Sequence, residues 1–300
     1  MKPKAGERAV QVVLALLKSG CYLGLFLGMQ VLVMMPVAVA AGIEEAVGGQ
    51  GAGDRLYETL MDNAMLFSLI SGVLTLAVVL AFYLIRRKKL SEALWLRRVD
   101  APALWSGASL TPALYLIVIL VLAALPEAWT ESYGEASSGI GSGGVAGVIA
   151  TVLVAPLVEE FIFRGLIMTR LNRAMPGWLA VLLTAAIFGL CHGHPVWVGY
   201  TFVLGAFFGF MDLRTGSIWP SILAHVVFNA IGQVFTFVPE SESGAEVLAA
   251  LGIVLLVGIA APILDRKGIG RLFRPAPKAE AVVPALPAAP GVYEFDPWEA

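Results

Sequence analysis

The chain has 300 residues, 58% of them hydrophobic and 14% charged, and a mean hydropathy of +0.83. Soluble domains carry about 25% charged residues, so this composition excludes an ordinary soluble enzyme and points to a polytopic membrane protein. The net charge of -2 is uninformative as a whole, and with a pI near 6.0 and no basic stripe with interleaved aromatics nothing suggests nucleic-acid binding.

The first element follows the basic start MKPKAGER. Ala38-Val39-Ala40 resembles a signal-peptide cleavage site, but the apolar run from Ser19 to Ala41 is too long for the apolar core of a signal peptide and fits an uncleaved span. Hydropathy places eight candidate spans, near Val10–Ala41, Met65–Ile85, Leu110–Leu125, Val145–Thr169, Trp178–His192, Val196–Met211, Ser217–Phe237 and Val247–Leu264. The third is short. The sixth carries Gly205 and Gly209 at GxxxG spacing, which permits close helix approach.

Charge alternates between the connecting segments. Lys2, Lys4 and Arg8 come first, then the acidic run Glu44, Glu45, Asp54, Glu58 and Asp62. Arg86-Arg87-Lys88-Lys89 with Arg97 and Arg98 follow, then Glu127, Glu131 and Glu135, then Arg170 and Arg173. After a nearly uncharged turn at His194-Pro195 come Arg214 beside Asp212, then Glu240, Glu242 and Glu246, and finally Arg266, Lys267, Arg271 and Arg274. Counting Lys and Arg alone, both termini lie in the cytoplasm of a multi-pass protein of the inner (plasma) membrane. The outer loops 42–64 and 126–144, rich in Gly, Ser and acid, read as flexible. Pro275 to Ala300, rich in Pro and Ala, reads as a disordered cytoplasmic tail. The organisation expected is therefore three N-terminal spans over 1–144, a core over 145–274 and the tail over 275–300. Cys21 and Cys191 fall in apolar stretches and give neither a disulfide framework nor a CxxC metal motif.

The fourth span is the unusual one. Thr151–Leu171 is long enough to cross a bilayer, yet carries Glu159, Glu160 and Arg164 in its middle. A charge at the membrane centre costs roughly 2.5–3.5 kcal/mol, so three in one helix need a reason. Glu160 and Arg164, four apart, share a face and can neutralise each other as an ion pair. Glu159 lies about 100° around the helix and has no such local partner. A carboxylate held that way suits a general base or acid, whereas a buried salt bridge tying helices together would be purely structural.

Two later spans add polar residues. Phe188 and His192 stand four apart, as do His225 and Asn229, each pair on one helix face. At about 1.5 Å per residue, Glu159 lies roughly 16 Å from Arg170, His192 roughly 21 Å from Trp178, and His225 and Asn229 roughly 12 and 18 Å from Ser217. All four thus fall in one layer near mid-membrane. A carboxylate and an imidazole can hold and deprotonate water, while an imidazole and an amide can donate to an oxyanion. Alternatively, Glu159, His192 and His225 form a His₂Glu set able to ligate one divalent, zinc-like metal. HExxH and GxSxG are absent. His194, two residues from His192, is expected at the outer interface.

Taken in order, Glu159-Glu160-x-x-x-Arg164, Phe188-x-x-x-His192 and His225-x-x-x-Asn229 resemble the three motifs of the CPBP family, the CAAX proteases and bacteriocin-processing or Abi proteins. The stretch Leu213–His225 is similar to that family's segment before its second histidine, and the likeness covers about residues 145–232. The resemblance implies an all-α, polytopic, CAAX-protease-like bundle of about eight transmembrane helices with a cavity open to the cytoplasm. It implies that Glu159 activates water assisted by His192, that His225 and Asn229 form the oxyanion site, and that Glu160 and Arg164 support them. The partner implied is a membrane-embedded or lipid-modified protein substrate with a CAAX-like or C-terminal sorting signal. The family is described both as glutamate-dependent and as metal-dependent, so the metal stays open here. Two other classes compete: a non-proteolytic scaffold or regulator with the same fold, and a transporter, against which stands the lack of an internal repeat.

Overall fold

The computed structural model describes residues 5–47, 49, 51–87, 89–137, 144–237 and 245–272. The expected tail, together with Lys2, Lys4, Lys88, Glu240, Glu242 and Arg274, lies outside the described residues. Among those described, the ordered elements are helices: α1 (Ala5–Ala46), α2 (Ala52–Asp62), α3 (Ala64–Ile85), α4 (Ala101–Ala123) and α5 (Glu127–Ser137). They continue with α6 (Gly144–Asn172), α7 (Gly177–Leu190), α8 (Pro195–Thr215), α9 (Trp219–Phe235), α10 (Ala245–Leu264) and α11 (Arg266–Leu272).

All eight apolar segments form helices, but only α1, α3, α4, α6, α8 and α10 are long and apolar enough to cross a membrane. The other two, α7 and α9, have 14 and 17 residues. At about 1.5 Å per residue they fall short of a hydrocarbon core of about 30 Å. Gly193 (φ +75°) and Gly216 (φ +65°) take left-handed conformations just beyond α7 and α8, and Pro220 sits in the first turn of α9. These breakers shorten the two helices expected to carry the histidines.

The third span is longer than expected, with 23 residues from Ala101. Its first turns look polar in sequence, but Ser106, Ser109 and Thr111 donate to the carbonyls of Ala103, Ser106 and Gly107 on the same helix, so their hydroxyls are satisfied. Asp100 supplies the N-cap, accepting from the Ala103 amide at 3.2 Å. The two outer segments expected to be flexible carry α2 and α5. An Arg55–Glu44 ion pair ties α2 back to α1. Tyr133 of α5 packs edge-on against Trp197, with its hydroxyl 3.3 Å from that of Tyr200. His194 caps α8, its Nδ1 accepting from the Val196 amide, and its Nε2 lies 3.1 Å from Ser132 Oγ.

At the centre of the bundle, α6 touches α1, α3, α7 and α9. Its buried side chains Ile162, Phe163, Ile167, Met168 and Leu171 pack with Phe26 of α1 and Phe188 of α7. Helices α7 and α8 form an antiparallel pair, and α4 packs on α9 and α10. The α7–α8 contact is close because Gly205 has no side chain: a Cβ there would lie 3.2 Å from Ala185 and 3.2 Å from Arg164 Nη2.

Gly205→Leu would force a side chain into that contact. Overpacking costs about 1–3 kcal/mol, so the melting temperature in detergent should fall by several degrees. An unchanged melting temperature would contradict the close packing described.

Candidate active site

The helix carrying the charges is not a regular α-helix throughout. Ala150–Val154 and Phe161–Met168 are wound as wider π-helical turns on either side of Ala155–Glu160. Such insertions shift the register of side chains around the axis and recur at functional sites. Glu159 and Glu160 end the regular stretch, and Arg164 lies in the second widened one.

The two adjacent carboxylates have different surroundings. Glu160 is fully buried (0% exposed) and Arg164 is 1% exposed, with Nε 3.1 Å from Glu160 Oε2. The guanidinium lies over the ring of Phe188, its carbon 4.3 Å from the centroid, with Phe208 at 5.7 Å, and Nη2 donates to the Gly205 carbonyl at 3.4 Å. The other oxygen, Glu160 Oε1, lies 2.8 Å from His225 Nδ1. A carboxylate can only accept this hydrogen bond, so Nδ1 carries the proton and Nε2 faces the other way. In that direction stands Glu159, with Oε2 3.7 Å from His225 Nε2 and a side chain that remains 25% exposed. Glu160 therefore bridges Arg164 and His225 rather than serving Arg164 alone, and Glu159 is the more exposed of the two carboxylates.

His192 lies beyond the last turn of α7 rather than on its apolar face. Its Nδ1 donates to the Phe188 carbonyl at 2.8 Å, filling an acceptor left open at the helix end and leaving Nε2 as the acceptor nitrogen. Phe188 joins the parts: its ring is 4.8 Å from the His192 ring and 6.1 Å from that of His225, both edge-on. Cys191, next to His192, is within electrostatic reach of Glu159, which places this end of α7 beside the carboxylate. Asn229, one turn along α9 from His225, donates from Nδ2 to the Thr151 carbonyl at 2.9 Å, a partner in the first widened turn of α6. Its amide keeps a second N–H and an acceptor oxygen.

Among the described residues, no three His, Cys, Asp or Glu side chains are placed to hold a metal ion. The Nδ1 atoms of His192 and His225 are engaged by Phe188 and Glu160, which leaves the Nε2 atoms of both rings and the Glu159 carboxylate as the groups that would hold a divalent metal.

Asp212 escaped the sequence reading, which set it beside Arg214 as an interfacial charge. It is fully buried on α8, with electrostatic interactions to Glu160 and Arg164, beside Ser221. The Ser221 hydroxyl donates to Ile218 O and lies against the Asp212 carboxylate. The signal in the sequence is an acidic residue within Phe207–Leu213, a stretch otherwise made only of apolar residues and glycine.

A crevice opens beside Glu159, lined by Phe26 of α1, Ser68 and Leu69 of α3, and Ala155 and Val158 of α6. Comparisons with known proteins find a likeness confined to part of the chain. Residues 141–231 match the family described as "Type II CAAX prenyl endopeptidase Rce1-like". The chain is 31% identical over 87 residues to a Bacillus subtilis (strain 168) protein named "Putative membrane peptidase YdiL", covering 29% of this chain and 36% of that one. It is 28% identical over 143 residues to human CAAX prenyl protease 2, covering 40% of this chain and 44% of the relative. The match thus spans less than half the length of each of these relatives. No solved structure matches. The likeness to this family covers residues 141–231, less than a third of the chain. It is an all-helical, multi-pass membrane protein.

Glu160→Ala removes the partner of a buried guanidinium. Breaking a buried pair costs about 3–5 kcal/mol, so yield and melting temperature in detergent should drop sharply. Glu160→Leu combined with Arg164→Met should recover much of that loss, because it removes both charges. If the single variant melts like the parent, the pair does not hold α6 in place.

Proposed function

We propose that the chain is an intramembrane endopeptidase that hydrolyses a peptide bond in a membrane-embedded or lipid-modified protein, at a CAAX-like or C-terminal sorting signal. The observation that carries this reading is the asymmetry of the two carboxylates: Glu160 is sealed and holds His225, while Glu159 is reachable and faces His225 Nε2. The relatives named as a membrane peptidase and a CAAX prenyl protease support it.

In this reading a water donates a hydrogen bond to Glu159, with the acceptor nitrogen of His192 as its second partner. As the water oxygen attacks the scissile carbonyl carbon, its proton passes to Glu159. The C=O electrons move onto the carbonyl oxygen, which accepts hydrogen bonds from an N–H of Asn229 and from Nε2–H of His225, which in this reading carries a proton on each ring nitrogen between the two carboxylates. Collapse of the tetrahedral intermediate breaks the C–N bond, and the proton on Glu159 passes to the leaving nitrogen. Phe188 fixes both imidazoles. The hollow between α1, α3 and α6, of about 20 Å³, has room for about one water beside Glu159.

The orientation proposed puts both termini and Lys89 in the cytoplasm and Glu131 outside. Reporters fused after residue 300 and at Lys89 should read cytoplasmic, and one at Glu131 external. Lys89 and Glu131 reporting the same side would overturn this topology.

Glu159→Gln tests the catalytic role. It keeps the shape and removes the base, so turnover should fall by about 10²–10⁴-fold. Because it also removes a charge from a partly buried place, the melting temperature should stay at or above that of the parent. Trapping with this variant, followed by mass spectrometry of the accumulated precursors, identifies the substrate. Activity lost only in proportion to stability would return Glu159 to a structural role.

A further inference from the structure

Asp212 is a buried charge that the peptidase reading leaves unused. Its side chain is sealed in the last turn of α8, and its backbone carbonyl accepts from the Gly216 amide at 2.8 Å, where the chain turns toward α9. That turn is held from outside. The Ser217 hydroxyl donates to the Arg97 carbonyl at 2.7 Å and the Ile218 amide to the Trp95 carbonyl at 3.1 Å. Asp212 thus stands on a rigid element, with electrostatic interactions to Glu160 and Arg164.

The start of α9 is short of partners. Ile218 gives no side-chain cap, Pro220 has no N–H, and the Trp219 amide reaches the Ser217 hydroxyl only at 3.4 Å. The Asp212 carboxylate lies against both the amide and the hydroxyl of Ser221, and so supplies from α8 the acceptor and the negative charge that suit a helix N-terminus. The same hydroxyl lies against Glu160. Ser221, His225 and Asn229 follow at four-residue spacing and share one face of α9. That face meets its neighbours at three successive turns. Ser221 meets Asp212 and Glu160, His225 meets Glu160 at 2.8 Å, and Asn229 meets the Thr151 carbonyl at 2.9 Å. The second and third contacts carry the groups proposed for the oxyanion, and the first fixes where along α6 they come to rest. We propose that Asp212 is a positioning residue, which holds the first turn of α9 through Ser221 and thereby sets His225 and Asn229 against α6. Its effect on turnover rests on the peptidase reading; its effect on the placement of His225 does not.

Full-length protein labelled with ¹⁵N-histidine is compared in lipid nanodiscs as parent, Asp212→Asn, Asp212→Leu and Ser221→Ala. Turnover of the precursor that Glu159→Gln accumulates is the second readout. Asp212→Asn keeps an acceptor for the Ser221 amide, so the Nδ1–H signal of His225 should stay near its parent position and most turnover should remain. Asp212→Leu keeps the volume and removes the acceptor. The His225 signal should then shift or broaden, and kcat should fall about 10- to 100-fold with KM within about twofold, the scale of a misplacement of about 1 Å. Ser221→Ala keeps the amide and loses the hydroxyl, so it should displace the same signal less; it decides the question if Asp212→Leu fails to fold. A His225 signal unmoved in Ser221→Ala, and in Asp212→Leu where that protein folds, overturns the proposal. So does a loss of turnover that leaves the signal in place. A signal displaced as far in Asp212→Asn as in Asp212→Leu assigns the residue to its charge beside Arg164 and overturns the capping role. A parent that cleaves no precursor contradicts the peptidase reading, and the His225 signal then decides the placement alone.

Discussion

The ion pair between Glu160 and Arg164 is the constraint on which the rest of this structure depends. Both side chains are sealed from solvent, at 0% and 1% exposure, in a helix crossing the bundle centre. Removing two charges from water costs several kcal/mol per ion, and their attraction repays this only in good geometry with further partners. Here those partners come from every neighbouring layer. Phe188 of α7 and Phe208 of α8 flank the guanidinium, the Gly205 carbonyl of α8 accepts from it, and His225 of α9 takes the second carboxylate oxygen. The pair therefore ties α6 to three helices at once. It also explains why Gly205 has no side chain: the space a Cβ would need is taken by Arg164 and Ala185.

From that anchor follows the division of labour between two adjacent glutamates. Glu160 faces inward and spends its charge on Arg164 and His225. Glu159, one residue earlier, faces the crevice between α1 and α3. The imidazole of His225 stands between them, Nδ1 toward the buried carboxylate and Nε2 toward the exposed one. A histidine oriented by a carboxylate on one nitrogen and presenting the other to a reacting group is a general device for fixing protonation and direction. His192 reaches the same end by another route, with the carbonyl of Phe188 as the orienting acceptor.

Much of this was legible in the sequence because membrane helices write their charges plainly. Glu159, Glu160 and Arg164 stand out in an apolar run, and the four-residue spacing of Glu160 and Arg164 states their pairing outright. The coincidence of depth likewise placed the Glu159 helix, the histidines and Asn229 in one layer. What stayed hidden depends on tertiary packing. No spacing tells that His225 bonds Glu160 rather than Glu159, since both carboxylates are one residue apart on the same helix. The π-helical turns around Glu159 follow from packing rather than periodicity. His192 was expected on a helix face because the heptapeptide Ala186–His192 is apolar up to the histidine, yet the helix stops at Leu190, three residues before Gly193 takes its left-handed turn. The polar start of α4 concealed a full-length span because its hydroxyls are satisfied by its own backbone. Asp212 was hidden by Arg214, a nearer and more obvious partner in sequence.

The orientation of His225 is the central claim and can be read directly. The chain contains three histidines, so ¹⁵N-histidine labelling of the full-length protein in lipid nanodiscs gives few ring signals, and His225→Gln identifies those of His225 by their loss. The account predicts a proton on Nδ1 of His225, engaged in a strong hydrogen bond that disappears in the Glu160→Leu, Arg164→Met protein. A neutral His225 protonated on Nε2 with a bare Nδ1, or a signal unchanged by removing Glu160, would contradict it.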